Sequence, residues 1–130
     1  MTNDELVKYW LYSSDVDFQA METLFKKGYY AWALSIGRLV IEKLLRACYV
    51  KETDSPPPPT QQLLEIARRA NLDPTGEQAN LLRDLSEFKM TSEDPDSESR
   101  FYKKATRKYT ESHIKGIVEL RQWLIKRIKG

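Results

Sequence analysis

The stretch from Tyr29 to Val50 is the feature that most constrains the fold of this chain. It follows Gly28, contains no proline, and its apolar residues recur at steps of three and four. That spacing predicts an α-helix with a broad apolar face. Because only five polar or charged residues interrupt the pattern, other elements must cover this helix on several sides. We therefore interpret it as the central helix of an all-α domain.

Helical patterns also precede and follow the central one. Thr2 and Glu5 have the spacing of a capping box, so a first helix is predicted over residues 3–27, with Gly28 as its stop. Four consecutive prolines then form an extended connector within residues 51–60. The remaining predicted helices cover residues 61–70, where Thr60 is the cap, residues 75–90, and residues 98–129. The predicted core stripe of the last helix consists of Tyr102, Ala105, Tyr109, His113, Ile117, Leu120, Leu124 and Ile128. No segment alternates as a strand does, so we expect an up-and-down bundle of four to five helices, one domain over residues 1–130.

Charge is distributed unevenly along the chain. From Arg100 to the end there are ten Lys and Arg against two acids, a balance of +8, whereas residues 1–99 carry eleven against seventeen, a balance of −6. The last helix is therefore cationic and suits an anionic partner such as nucleic acid or an acidic protein surface. The alternative is a solvated helix face that offsets the acids elsewhere.

The single cysteine and the first residues of the chain indicate the cellular compartment. Cys48 is the single cysteine, which excludes an intrachain disulfide or a cysteine-based zinc site and fits a reducing cytoplasm. The first residues lack the pattern of a signal peptide, and no apolar run approaches the roughly 20 residues that span a bilayer. We expect a cytoplasmic protein without membrane association, cofactor or metal.

Asp17 falls on the stripe of the first helix that should face inward. An ionised carboxylate there is costly unless it is paired. The tight connection at Gly28 brings the central helix back antiparallel, so that Arg38 or Lys43 can supply the partner. Together with Glu42, these residues form either an internal ion-pair network or a ligand-binding polar cluster.

Arg107 and His113 are the only candidates for catalysis. An arginine and a histidine together can hold a phosphodiester and move a proton, which suffices for metal-independent RNA cleavage through the ribose 2′-hydroxyl. On one continuous helix, however, six residues separate the two side chains by about 120° and about 9 Å along the axis. They meet only if the helix is broken there or if two protomers each supply one. Otherwise His113, the only histidine, is a hydrogen-bonded core or interface residue.

Five aromatic residues have rings that can stack on a base, namely Trp10, Tyr30, Trp32, Tyr102 and Tyr109. Because they recur at helical spacing, we expect most of them to be core or dimer contacts.

Several segments resemble the HEPN family (higher eukaryotes and prokaryotes nucleotide-binding). The matching residues are Trp10, Asp17-Phe18, Leu24, Gly28-Tyr29-Tyr30, Ala33 and the run Ile-Glu-Lys-Leu-Leu-Arg-Ala at 41–47. The order of the proline stretch and the basic last helix is also similar, so the resemblance covers nearly the whole chain.

The resemblance implies a helical bundle, commonly a homodimer, that acts beside a small nucleotidyltransferase, often as a toxin–antitoxin pair. Some members are ribonucleases with an arginine, four to six residues and a histidine, a spacing that Arg107 and His113 satisfy. The first hypothesis is therefore an accessory binding module for a nucleotidyltransferase or an anionic nucleotide or RNA. The alternatives are a metal-independent endoribonuclease toxin using Arg107 and His113, and a purely structural interaction bundle.

Overall fold

The computed structural model describes all 130 residues and contains six α-helices and no strand. The helices are α1 (Asn3–Lys26), α2 (Tyr30–Thr53), α3 (Leu63–Arg69), α4 (Gly76–Ser86), α5 (Pro95–Lys104) and α6 (Arg107–Lys129). The predicted all-α bundle is confirmed, with six helices in place of the expected four to five. None of them has the length and apolar character needed to cross a bilayer.

The first two helices form an antiparallel hairpin. Thr2 and Glu5 make the predicted capping box, each side chain accepting a hydrogen bond from the backbone amide of the other residue. Gly28 lies in the left-handed region at φ +84°, which favours glycine. At the far end of the hairpin Asn3 Nδ2 donates to Asp54 Oδ1 over 2.6 Å. The turn and the cap therefore set the register of α1 on α2.

The second helix is the centre of the hydrophobic core, as the sequence predicts. It contacts α1, α3, α4, α5 and α6, and one cluster of 25 buried apolar residues connects them. Its fully buried side chains include Leu34, Val40, Ile41, Leu44 and Leu45. The helix extends to Thr53, three residues beyond the expected Val50.

The proline connector runs back alongside α2. The Arg46 guanidinium donates to the carbonyl oxygens of Pro58 and Thr60, each over 3.0 Å, and so holds the extended segment. α3 begins at Leu63, whose amide donates to Ser86 Oγ at the end of α4 over 3.0 Å. The predicted start of α3 at residue 61 is two residues too early, and the predicted end of α4 at residue 90 is four residues too late.

The predicted long last helix is in fact two helices. Asp94 caps α5 through the amide of Ser97, and Pro95 is its first residue. Thr106 Oγ accepts from the amide of Tyr109 over 3.2 Å and begins α6 as a new N-cap. Because α5 leaves the axis of α6, Tyr102 is 49% exposed where the sequence placed it in the core.

The sixth helix packs parallel to α2 and antiparallel to α4. Gly37 of α2 faces Ile117 of α6, and Lys51 Nζ farther along α2 donates to the carbonyl of Ile128. On the other side Gly116 of α6 faces Leu81 of α4. The core positions predicted for α6 at 117, 120, 124 and 128 are all buried.

Alanine substitutions at the two close-packed glycines should differ in effect. A Cβ at Gly37 would lie 2.6 Å from Ile117 Cδ1 and 3.1 Å from Met21 Sδ, and both side chains are completely buried. We expect Gly37→Ala to lower the free energy of unfolding by about 1–3 kcal/mol, measured by urea denaturation. At Gly116 the clash is with Leu81 Cδ2 alone, a half-buried side chain that can move, so Gly116→Ala should cost less. Equal losses would contradict this account.

Candidate functional site

Arg107 lies at the first position of α6, where its side chain is exposed. The helix break at Ala105–Thr106 comes just before it. Arg107 and His113 therefore share one uninterrupted helix, and the angular separation of about 120° derived from the sequence applies. The fold does not bring the two side chains together within one chain.

His113 is held on both sides of its ring. Its Nδ1 donates to the carbonyl oxygen of Tyr109 over 2.9 Å, and its Nε2 lies 3.4 Å from Asp84 Oδ2 on α4. The ring packs against Tyr109, with ring centres 4.2 Å apart, and against the edge of Phe88. The side chain is 14% exposed. This is the environment of a histidine that joins α4 to α6.

Asp17 and Lys43 form the ion pair that the sequence suggests. Lys43 Nζ lies 2.6 Å from Asp17 Oδ2 and makes its hydrogen bond to Ser13 Oγ at 2.7 Å. At 2.6 Å the ammonium of Lys43 and the carboxylate of Asp17 are in direct ionic contact. Because both side chains are about three-quarters or more buried, the pair locks α1 against α2.

Arg38 and Glu42 belong to a separate set of contacts along α2. The Arg38 Nη1 donates to Glu42 Oε1 over 2.5 Å, and Glu42 Oε2 accepts from Arg46 Nε over 3.3 Å. Arg46 in turn holds the proline connector. The four predicted residues therefore form two structural groups, one joining α1 to α2 and one joining α2 to the connector. This arrangement favours the ion-pair interpretation over a ligand site.

An aromatic hollow lies at the turn between α1 and α2, at the end of the bundle where α5 meets α6. It has a volume of about 410 Å³ and is lined by Gly28, Tyr29, Tyr30, Ala31, Trp32, Tyr102 and Ala105. The sequence marked Tyr30, Trp32 and Tyr102 as rings able to stack on a base, but assigned most such rings to the core or to a dimer. The sequence feature that indicates the hollow is Thr106. Its side chain caps the start of α6, so the chain changes direction after Ala105.

Cys48 lines a cavity of about 290 Å³ beside Lys51 and Arg127. Burial raises the pKa of its thiol to about 12, against the smaller lowering effects of Arg127 and Lys51. A thiol that stays protonated at neutral pH is a poor nucleophile and a poor metal ligand. No three His, Cys, Asp or Glu side chains converge in a metal-binding arrangement.

Comparison with known proteins identifies one relationship. A family model described as HEPN domain matches residues 7–128. No curated protein matches the chain, and no solved structure does.

Removing either partner of the Asp17–Lys43 pair should destabilise the fold. We expect Asp17→Ala and Lys43→Met each to lower the free energy of unfolding by about 1–2 kcal/mol, with a coupling of about 1 kcal/mol in the double-mutant cycle. The matched control is Glu65→Ala, which breaks an exposed pair with Arg69 and should change stability by less than about 0.5 kcal/mol. Additive effects of the first two substitutions would rule out a direct pair.

The Cys48 thiol should make stability fall at alkaline pH. Above its ordinary pKa near 9 the thiol of the unfolded chain loses its proton, while the folded thiol keeps it up to about pH 12. Rising pH therefore favours the unfolded state, by up to about 1.4 kcal/mol per pH unit. Urea unfolding from about pH 8 to about pH 10.5 measures this slope. Cys48→Ala removes it while leaving every lysine and tyrosine in place, and identical slopes in the two proteins would contradict the prediction.

Proposed function

The chain belongs to the HEPN domain family, and we propose that within this family it is a non-catalytic binding module for an anionic ligand. The observation that carries the proposal is the unpaired positive charge near the C-terminus. Of the ten Lys and Arg from Arg100 onward, only Arg121 forms an ion pair with an acid. A cluster of exposed cations without internal partners attracts anions and speeds their association.

The geometry around His113 supports binding without catalysis. A general base must present a free nitrogen to the proton that it removes. Because Nδ1 of His113 donates to the Tyr109 carbonyl, only Nε2 could act as the base, and that nitrogen lies 3.4 Å from Asp84 Oδ2 on a side chain that is only 14% exposed. Arg107 points away from this ring around the helix, so a phosphate bound by Arg107 would not lie against His113 of the same chain.

The wider proposal concerns the assembly. We propose that the module is a homodimer that acts with a small nucleotidyltransferase, as a toxin–antitoxin-like pair, and that its anionic ligand is a nucleotide or RNA. The support for this assembly is family membership. The competing functions are an endoribonuclease in which Arg107 and His113 come from different protomers, and a structural bundle that binds no anion.

We expect the purified protein to be retained on heparin and released as salt rises, because polyanion binding displaces condensed counterions. The same protein should leave a mixed RNA pool uncleaved in EDTA, and His113→Ala and Arg107→Ala should behave as the parent does. Circular dichroism of each protein confirms that it is folded.

The outcomes separate the three functions. RNA cleavage that is lost in both His113→Ala and Arg107→Ala would establish the nuclease in place of the binding module. If the folded protein is not retained on heparin at low salt, the remaining function is that of a structural bundle.

A further inference from the structure

We propose that the aromatic hollow beside Gly28 is a stacking site for unpaired bases of a single-stranded nucleic acid, whose phosphates lie along the lysines at its rim. The inference rests on the proposed function, since it names the class of anion that the module binds and the place where it binds. The lining of the hollow contains neither His113 nor Asp17, Arg38, Glu42 and Lys43, so it is distinct from both sites that the sequence predicted.

The rings of the hollow are open to solvent. Tyr29 is 57% exposed, Trp32 is 44% exposed and Tyr102 is 49% exposed. By contrast, Tyr30 packs on Phe25, and Tyr109 packs on His113. Three large exposed rings from two separate elements therefore border one concave surface. Flat aromatic faces of this kind stack on nucleobases whatever their sequence, because every base has a π-face.

Lysines flank the lining residues of the hollow in the sequence. Lys26 and Lys27 directly precede Gly28, and Lys103 and Lys104 directly follow Tyr102. Residues 23–41 and 99–110, which supply the whole lining, contain no Asp or Glu. The acid of α5 nearest to Tyr102 is Glu98, one turn earlier and about 6 Å away along the axis, and Asp96 lies about 9 Å away.

This combination fits a single strand better than a duplex or a protein. Bases in a duplex are stacked on each other, so their faces do not reach the rings. Protein interfaces are depleted in lysine at their cores, whereas lysines beside exposed rings match the alternating phosphates and bases of a flexible strand. Because the rings contact bases and the lysines contact phosphates, neither contact distinguishes RNA from DNA.

The test is fluorescence titration of the full chain with labelled single strands of about 12 nucleotides, as RNA and as DNA, and with the matching duplex. We expect the two single strands to bind within a few-fold of each other and the duplex to bind more weakly. Trp32→Ala and Tyr102→Ala should each weaken single-strand binding by on the order of tenfold, while Trp32→Phe and Tyr102→Phe retain most of it. Lys27→Gln and Lys103→Gln should each reduce the slope of log affinity against log salt by about 0.7.

Tyr12→Ala is the matched control, because Tyr12 is a 69% exposed tyrosine about 21 Å along α1 from its C-terminal end. It should leave binding unchanged. Unchanged affinity in both alanine variants would overturn the stacking site, even if heparin retention persists and the proposed function stands. Equal binding of single strand and duplex would overturn it as well. Failure of the proposed function is a separate result, namely the loss of heparin retention.

Discussion

The packing of α2 against five other helices is the constraint on which the rest of the structure depends. Leu34, Ile41 and Leu44 have no solvent exposure, and at about 25 cal/mol for each Å² of apolar surface their removal from water is a major source of stability. A helix that is apolar around most of its circumference needs neighbours on every face. α1 covers one face, α6 another, and α3 and α4 the third, so the number and course of the other helices follow from this demand.

Close approach to α2 requires small residues and paired charges at the contacts. Gly37 lets Ile117 of α6 reach the helix backbone, and Lys43 meets Asp17 where α1 crosses. Arg46 attaches the connector to α2, because its guanidinium donates hydrogen bonds to two carbonyl oxygens of this proline-rich segment, which has few backbone amides of its own. Two of the charged residues that interrupt the apolar pattern of α2, Lys43 and Arg46, therefore attach its neighbours. This explains why a polar cluster on a central helix need not be a ligand site.

Much of this arrangement was predictable from sequence. Period and length identified α2, the Thr2–Glu5 spacing and Gly28 bounded α1, and the antiparallel return limited the partner of Asp17 to two residues, of which Lys43 is the one found. The single domain stays an interpretation, although one core cluster joins the helices. The choice between Arg38 and Lys43 depended on helix rotation, which side-chain packing decides and a linear pattern does not encode.

The break between α5 and α6 is marked in the sequence by Thr106 alone, and its consequences reach the function. Residues 104–107 contain no Pro or Gly, and the apolar positions continue in helical period across them. The helix nevertheless ends there, because the Tyr109 amide donates to the side chain of Thr106. This local hydrogen bond replaces the backbone bond that would continue the helix. If α5 and α6 formed one continuous helix, Tyr102 would lie over the core, as the sequence predicts. Because α5 turns away, Tyr102 instead reaches the Gly28 turn, where it shares a cavity with Trp32. One threonine cap thus places exposed rings beside lysines at one end of the bundle. The same cap begins a continuous helix that holds Arg107 and His113 apart.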